Sequence, residues 1–313
     1  MPRSVLAVVL TLALTSLSPA PVAAATKLGI VAFQMSAETH ARVANAAAEA
    51  AKAKGWSVTV LNSRGAAPDH AAQVADLIRA GVDGIILAMG KVQQLEAELQ
   101  EAQKKGIAVI TVSSGTGKYT LFDVNADEFV VGAKIATYLL GRLNYQGNIL
   151  MQRYEQHVGT RIRGKVMDIE LSENTGVKLL ATHTMARSAS WQDDVRKGME
   201  ALLLKHKGEV NAIWASFDGQ AFIIDDILQQ MGFKKGQVLL TGVDGGKEAY
   251  KRIRNPESLF TATIDIPYEK MAREAVDAME KIVVKKLKRT DVVQGPFLFV
   301  EPVLIDSTNV PRE

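Results

Sequence analysis

The chain has no cysteine among its 313 residues. That excludes disulfides, thiol nucleophiles and cysteine-bound metals, so the fold must rest on core burial alone. A chain of this length can bury enough surface to do so. Aromatics are sparse at 6%, and the formal net charge is only +3. So small a charge leaves no electrostatic footprint for nucleic acid. Enzyme signatures are missing too: no G-x-S-x-G, no G-x-x-x-x-G-K-[ST], no H-E-x-x-H, and no G-x-G-x-x-G after the first strand. The five histidines (His40, His70, His157, His183, His206) lie without metal-ligand spacing. No cofactor and no metal are expected. With 47% apolar and 23% charged residues, the composition is globular and excludes disordered and collagen-like classes.

One long apolar run is present, at the start. Arg3 supplies positive charge, Val5 to Leu14 form an apolar stretch, and Ala23 and Ala25 hold the small positions of an A-x-A cleavage site. These are the parts of a secretory signal, with the cut expected after Ala25. Ser16, Ser18, Pro19 and Pro21 end the run short of the roughly 20 residues a membrane span needs. An exported, periplasmic protein is therefore expected.

After residue 25, short β-rich runs alternate with helical patterns. Strands are predicted at 27–33, 57–62, 83–89, 107–113, 119–125, 147–152, 177–185, 211–217, 237–243, 259–265 and 297–305. Most are continuous apolar runs, as strands covered on both faces should be. Helices are predicted at 39–55, 68–81, 92–106, 128–143, 160–174, 191–206, 219–232 and 268–287. The βαβ alternation predicts an α/β protein with doubly wound parallel sheets and right-handed crossovers. It breaks between 114 and 127, where two strand candidates follow one another with no helix between them. That break is the natural boundary between two domains. The basic run 281–289 reads as the solvated end of a helix.

In open parallel sheets, ligands bind beyond the carboxyl ends of the strands. The residues there are Gln34 to His40, Met89-Gly90-Lys91, Ser113-Ser114, Arg153 to Arg163, Met185 to Trp191, Phe217-Asp218 and Asp244-Gly245-Gly246, with Asp265 near a later crossing. A nucleophilic Ser113 or Ser114 would need a histidine base in space, for which His40 is the nearest candidate. Hydrogen-bonding or turn serines are the simpler reading. The Gly115-Thr116-Gly117 that follows has no lysine at phosphate-loop spacing and leads into a strand.

Ordered pieces then resemble a family. "LGIVAF" (28–33), "AGVDGIIL" (80–87), "KKGIAVITV" (104–112), "NADEFVVGAKIATYL" (125–139), "GTRIRG" (159–164), "TGVDGG" (241–246) and "TATIDIPYEKMAREAV" (261–276) resemble the periplasmic sugar-binding proteins of ribose-binding type. These share their fold with the ligand-binding cores of lac-repressor-like regulators. The resemblance implies two similar doubly wound domains joined by three crossing segments, with the ligand in the cleft between them. The first lobe would hold 27–124 plus 263–292, the second 125–262 plus 293–313. It implies a non-enzymatic, monomeric solute receptor whose partners are a small sugar or polyol and the membrane permease of an ABC importer. Under the same resemblance, Arg163 would grip ligand hydroxyls, and Asp244 would be the ligand carboxylate. Trp191 would form an aromatic wall, and Phe217 would stand where sugar binders often carry asparagine; Asp218 beside it reads first as a helix cap and second as a ligand group. Asp265 falls near a polar crossing residue, and Met89 at the third strand end.

The departures bear on the ligand. Where sugar-binding relatives place asparagine and paired aromatics after the first strand, this chain has Ala37, Glu38, Thr39 and His40. Where they end the fourth strand in Asp-Arg, it has Ser113-Ser114. Arg161 and Arg163 in a first helical turn are electrostatically unfavourable there, which marks at least one as functional. His40 in the cleft would make affinity pH-dependent between about 5 and 8. A sensory receptor of the same fold, serving a chemoreceptor or sensor kinase, is the alternative. A regulator would need an amino-terminal helix-turn-helix, and a signal sequence stands there instead.

Overall fold

The computed structural model describes residues 25–186, 188 and 190–312. The expected signal sequence, apart from Ala25, lies outside them. The first half runs β1 (Lys27–Ala32), α1 (Glu38–Ala53), β2 (Ser57–Asn62), α2 (Ala67–Arg79), β3 (Gly84–Ala88), α3 (Glu96–Lys104), β4 (Ala108–Val112) and β5 (Asp123–Asn125). The second runs α4 (Glu128–Arg142), β6 (Gly147–Arg153), α5 (Val158–Glu173), β7 (Val177–Thr184), α6 (Trp191–Lys205), β8 (Ala212–Ala215), α7 (Asp218–Gln230), β9 (Leu239–Asp244), α8 (Lys247–Arg254) and β10 (Phe260–Asp265). The chain closes with α9 (Tyr268–Met279), β11 (Phe297–Phe299) and β12 (Val303–Asp306).

These strands form two six-stranded sheets, ordered β2-β1-β3-β4-β5-β11 and β7-β6-β8-β9-β10-β12. The first is parallel throughout, and in the second only β12 runs antiparallel, against β10. All five residues of β3 are buried, as its apolar run requires. Helix α1 buries Val43, Ala44, Ala46, Ala47, Ala48 and Ala51. It stops where Gly55 turns left-handed at φ 77. The Trp56 N–H then donates to Ala51 O and the Gly55 N–H to Lys52 O. That pair closes the helix end in a Schellman motif and folds buried Trp56 back under it.

The chain crosses between lobes three times: after β5, after β10, and between β11 and β12. Two sequence expectations change here. Residues 297–305 read as one strand, but Val300 to Pro302 interrupt it, and Pro302 has no N–H to donate to a ladder. Its first part pairs with β5 and its second with β10. So Phe297–Phe299 belongs to the first sheet, although 293–313 reads as second lobe. Thr263–Asp265 likewise sits within β10 of the second sheet, so the return to the first lobe begins with α9. Helix α9 packs so closely on β3 that a Cβ on Gly84 would stand 2.5 Å from Met279 Sδ. Lys54, which caps the end of α1, ties to Asp277 in the last turn of α9 (2.9 Å) and to Glu280 just past it (3.1 Å). The expected strand 119–125 keeps only Asp123–Asn125, because Gly117 to Thr120 form a turn closed by Gly117 N–H on Thr120 Oγ1 (2.9 Å).

Candidate ligand-binding cleft

A cavity of about 570 Å³ lies between the carboxyl ends of the two sheets. The loop after β1 and the first turn of α1 bring Phe33, Gln34, Ala37, Thr39 and His40 to it. Met89 and Lys91 follow β3, Ser113 follows β4, and Arg64 and Gly65 follow β2. The second lobe answers with Tyr154, His157, Thr160 and Arg163 around the start of α5, and with Met185, Ser188 and Trp191 before α6. Phe217 and Asp244 close the ends of β8 and β9, and Tyr268 comes from the start of α9.

Backbone strain collects here. Among the described residues seven non-glycines have positive φ, and four of them line the cavity: Arg64 (51°), Met89 (54°), Ser113 (49°) and Asp244 (141°). Each such conformation costs on the order of 1–3 kcal/mol and persists only where the surroundings enforce it. Turning the chain sharply at the strand end directs these side chains into the cleft instead of along the sheet.

The floor is ionic. Arg163 is 3% exposed and forks onto Glu128 of α4, Nε to Oε2 at 2.6 Å and Nη2 to Oε1 at 3.0 Å. Its Nη1 donates to Ser216 O (3.1 Å) and lies 4.0 Å from Asp244 Oδ1. Burial opposes the charge, but Glu128 and then Asp244 outweigh it and hold Arg163 firmly protonated. A guanidinium has five N–H groups, so two remain after these bonds. Asp244 Oδ1 accepts from Tyr268 Oη (2.9 Å). Burial pushes the Asp244 carboxyl up to about 6, with Arg163 and Tyr268 pulling the other way. Behind it, Asp218 is held well above the usual carboxylate range by burial first and by repulsion from Asp244 second.

One wall is aromatic. The Phe217 ring lies 5.6 Å from Trp191, tilted at 57°, and meets Tyr154 edge-on at 6.2 Å. Gly219 permits this, since a Cβ there would stand 3.0 Å from the Phe217 ring. Such faces stack on the C–H side of a ring or chain.

Of the eleven residues read from the sequence, Thr39, His40, Met89, Ser113, Arg163, Trp191, Phe217 and Asp244 line the cavity. Ser114, Asp218 and Asp265 do not. Ser114 Oγ accepts from Gly90 N–H (2.8 Å) and faces Leu87 O (3.1 Å), while its N–H donates to Asp123 Oδ1 (3.1 Å). It joins the turns after β3 and β4. Asp218 accepts from Gly245 N–H (2.8 Å) and Thr263 Oγ1 (2.9 Å), fixing the turn that carries Asp244. Asp265 sits beside Gly245 at the crossing, 4.0 Å from Arg42.

His40 lies in the cleft, but it is not a switch near neutral pH. Burial, then the charges of Lys91 and His70, lower its pKa to about 4. Its Nδ1 accepts from Gln34 N–H (3.2 Å). The individual residues Phe33, Lys91, Tyr154, His157, Met185 and Tyr268 also line the cavity. All but Phe33 and Tyr268 fall inside strand-end stretches the sequence flags. Phe33 reads as the last residue of a strand and Tyr268 as an ordinary helix start.

The model of the periplasmic binding protein domain matches residues 28–287. A curated relative, the xylitol-binding protein of Mycolicibacterium smegmatis, is 25% identical over 248 residues, which is 78% of this chain and 67% of the relative. Among solved structures, an ABC sugar transporter subunit from Rhodobacter sphaeroides superposes with a TM-score of 0.79 at 22% identity, covering 91% of this chain and 99% of that one. An ABC transporter solute binding protein from Agrobacterium vitis, with bound allitol, gives 0.78 at 20% identity, covering 91% and 97%. These structural matches establish the shared two-lobed fold. With its family model spanning nearly all of both lobes, the chain belongs to the periplasmic binding protein family.

Proposed function

We propose that this protein captures a small polyhydroxy solute, a sugar or polyol, between its lobes and delivers it to the permease of an ABC importer in the periplasm. The observation that carries this is the pairing, in one interlobe cavity, of the Arg163–Asp244 floor with the Trp191–Phe217 wall. Two unspent N–H groups of Arg163 suit ligand oxygens, and the Asp244 carboxylate accepts from ligand hydroxyls. A vicinal diol presents both roles side by side, while its C–H face lies on the indole. The xylitol and allitol named for two relatives are of this class.

Closure follows from the architecture. The lobes share three crossing segments, so a hinge between them changes few contacts in either core. The solute bridges groups from both lobes and so binds the closed form better, which shifts the equilibrium toward it. No covalent step belongs to this reading. Ser114 Oγ is engaged within the fold, and His40 spends its Nδ1 on a backbone N–H.

A thermal-shift panel of neutral and acidic sugars and polyols tests the proposal, with calorimetry on the hits. A true ligand at 100-fold its Kd stabilises by about 2.7 kcal/mol. A panel in which no polyhydroxy compound raises the melting temperature refutes the reading.

A further inference from the structure

Arg42 lies on α1 and does not line the cavity, yet it reaches both lobes beside the cavity floor. Its fork is spent on the first lobe. Nε donates to Glu269 Oε1 (2.6 Å) and Nη2 to Glu269 Oε2 (2.9 Å), in the first turn of α9. Arg42 Cζ also stands 5.1 Å from the ring centroid of Tyr268, the residue whose Oη bonds Asp244. A bidentate carboxylate and an aromatic face hold the guanidinium firmly on this side.

On the second-lobe side its contacts are long. Nη1 stands 3.5 Å from Gly245 O, at the outer limit of a hydrogen bond, and Nη2 stands 4.0 Å from Asp265 Oδ1, beyond that limit. A guanidinium has five N–H groups, and the Glu269 fork takes two of them. Asp265 closes β10, and its carboxyl is bonded by Tyr250, but its Oδ1 is buried without a hydrogen-bond partner. An unpaired buried oxygen costs folding free energy and calls for an explanation. The missing distance is a distance between lobes. Glycine keeps the space beside it clear: Gly246 has φ 106, and a Cβ there would stand 3.2 Å from Arg42 Nη1 and 3.4 Å from Glu38 Oε1.

An approach of about 1 Å would bring Nη2 within bonding distance of Asp265 Oδ1 and shorten the Nη1 contact to Gly245 O. Both bonds would be charge-assisted, and both would join the lobes. Resting on the solute-capture reading above, we propose that Arg42 is an interlobe latch, held on Glu269 and completed on Asp265 and Gly245 as the lobes close. It raises affinity without touching the solute, by favouring the closed form that the solute binds. The same motion supplies the partner that Asp265 Oδ1 lacks.

Calorimetry on the full mature protein tests this with xylitol, allitol and D-glucitol, using those that wild type binds. Arg42→Met should weaken binding at least about tenfold, the worth of a charge-assisted bond. Asp265→Ala should weaken it similarly, while urea unfolding of the solute-free variant stays near wild type. A merely structural role would lower affinity and stability together. The double variant should bind no more weakly than Arg42→Met alone. Because the chain has no cysteine, single cysteines at exposed Gln93 and Gln192, one in each lobe, can carry a fluorophore pair. At saturating solute, Arg42→Met should then show a larger open fraction than wild type. Wild-type affinity in Arg42→Met, losses that add in the double variant, or an unchanged open fraction each overturn the latch and leave the solute-capture reading standing. If Asp265→Ala does not fold, Asp265→Asn takes its place in the same comparison. Failure of every compound to bind wild type overturns the latch together with the reading it rests on.

Discussion

Replacing Asp244 by asparagine should stabilise the unliganded protein while weakening the site. The native carboxyl titrates at about 6 against an ordinary value of 3.8, chiefly because it is buried. Below about pH 4 it is protonated in both the folded and unfolded chain and contributes nothing. As pH rises from about 4 to 6, the unfolded chain ionises first, so the folded state loses ground. Above about 6 the full penalty is present, about 3 kcal/mol for a shift of this size. Asparagine has no such penalty and keeps an Oδ1 to accept from Tyr268. It also removes the repulsion felt by Asp218. Urea unfolding of the two proteins side by side should therefore give curves that nearly coincide at low pH. The variant should then be more stable by about 2–3 kcal/mol at and above neutrality. Ligand affinity should fall by about 10- to 100-fold, the worth of a charge-assisted hydrogen bond. A variant less stable than wild type at pH 8, or a difference unchanged between pH 5 and 8, would refute the reasoning.

Two further outcomes follow from the same wiring. Arg163→Met strands the Glu128 carboxylate, 7% exposed, without its cation, and should cost about 3–5 kcal/mol in urea unfolding. Adding Glu128→Gln should recover most of that loss, and equal losses in the single and double variants would contradict the pairing. Ser114→Ala removes the acceptor of Gly90 N–H and should cost about 1–3 kcal/mol while leaving ligand affinity near wild type. Wild-type stability in that variant would show that the hydroxyl does not join the two turns.

The two-lobed fold was legible because inner strands such as β3 and β8 are buried throughout and therefore read as unbroken apolar runs. The same feature hid the third crossing. Residues 297–305 look like one strand, and only their hydrogen-bond partners divide them between sheets. Much of the candidate cleft was legible through the strand-end rule, although Arg64, Gly65 and Tyr268 line the cavity from stretches that rule did not flag. Phe217 faces the cleft while Asp218, the next residue, turns away into the second lobe. Ser113 and Ser114 divide in the same way. Both pairs lie past their strands, Ser113 in left-handed backbone and Asp218 as the first residue of α7, and residue type does not reveal which member of such a pair faces the cavity. The protonation state of His40 was out of reach for a different reason. It depends on burial by a second lobe and on Lys91, fifty-one positions along the chain.

The supporting residues bear on why the site is built this way. Asp218 spends its carboxylate on holding the turn of Asp244, although the two repel. Four lining residues sit in left-handed or otherwise unfavourable backbone. Each arrangement costs folding stability, and each fixes a lining side chain in place ahead of any solute. Under the proposed function a solute would meet groups already positioned, so little of its binding energy would go into ordering them. A solute hydroxyl donating to Asp244 would also relieve the penalty of the buried carboxylate. Under the proposed function, strain and buried charge in the empty cleft would become part of the preference for the occupied one.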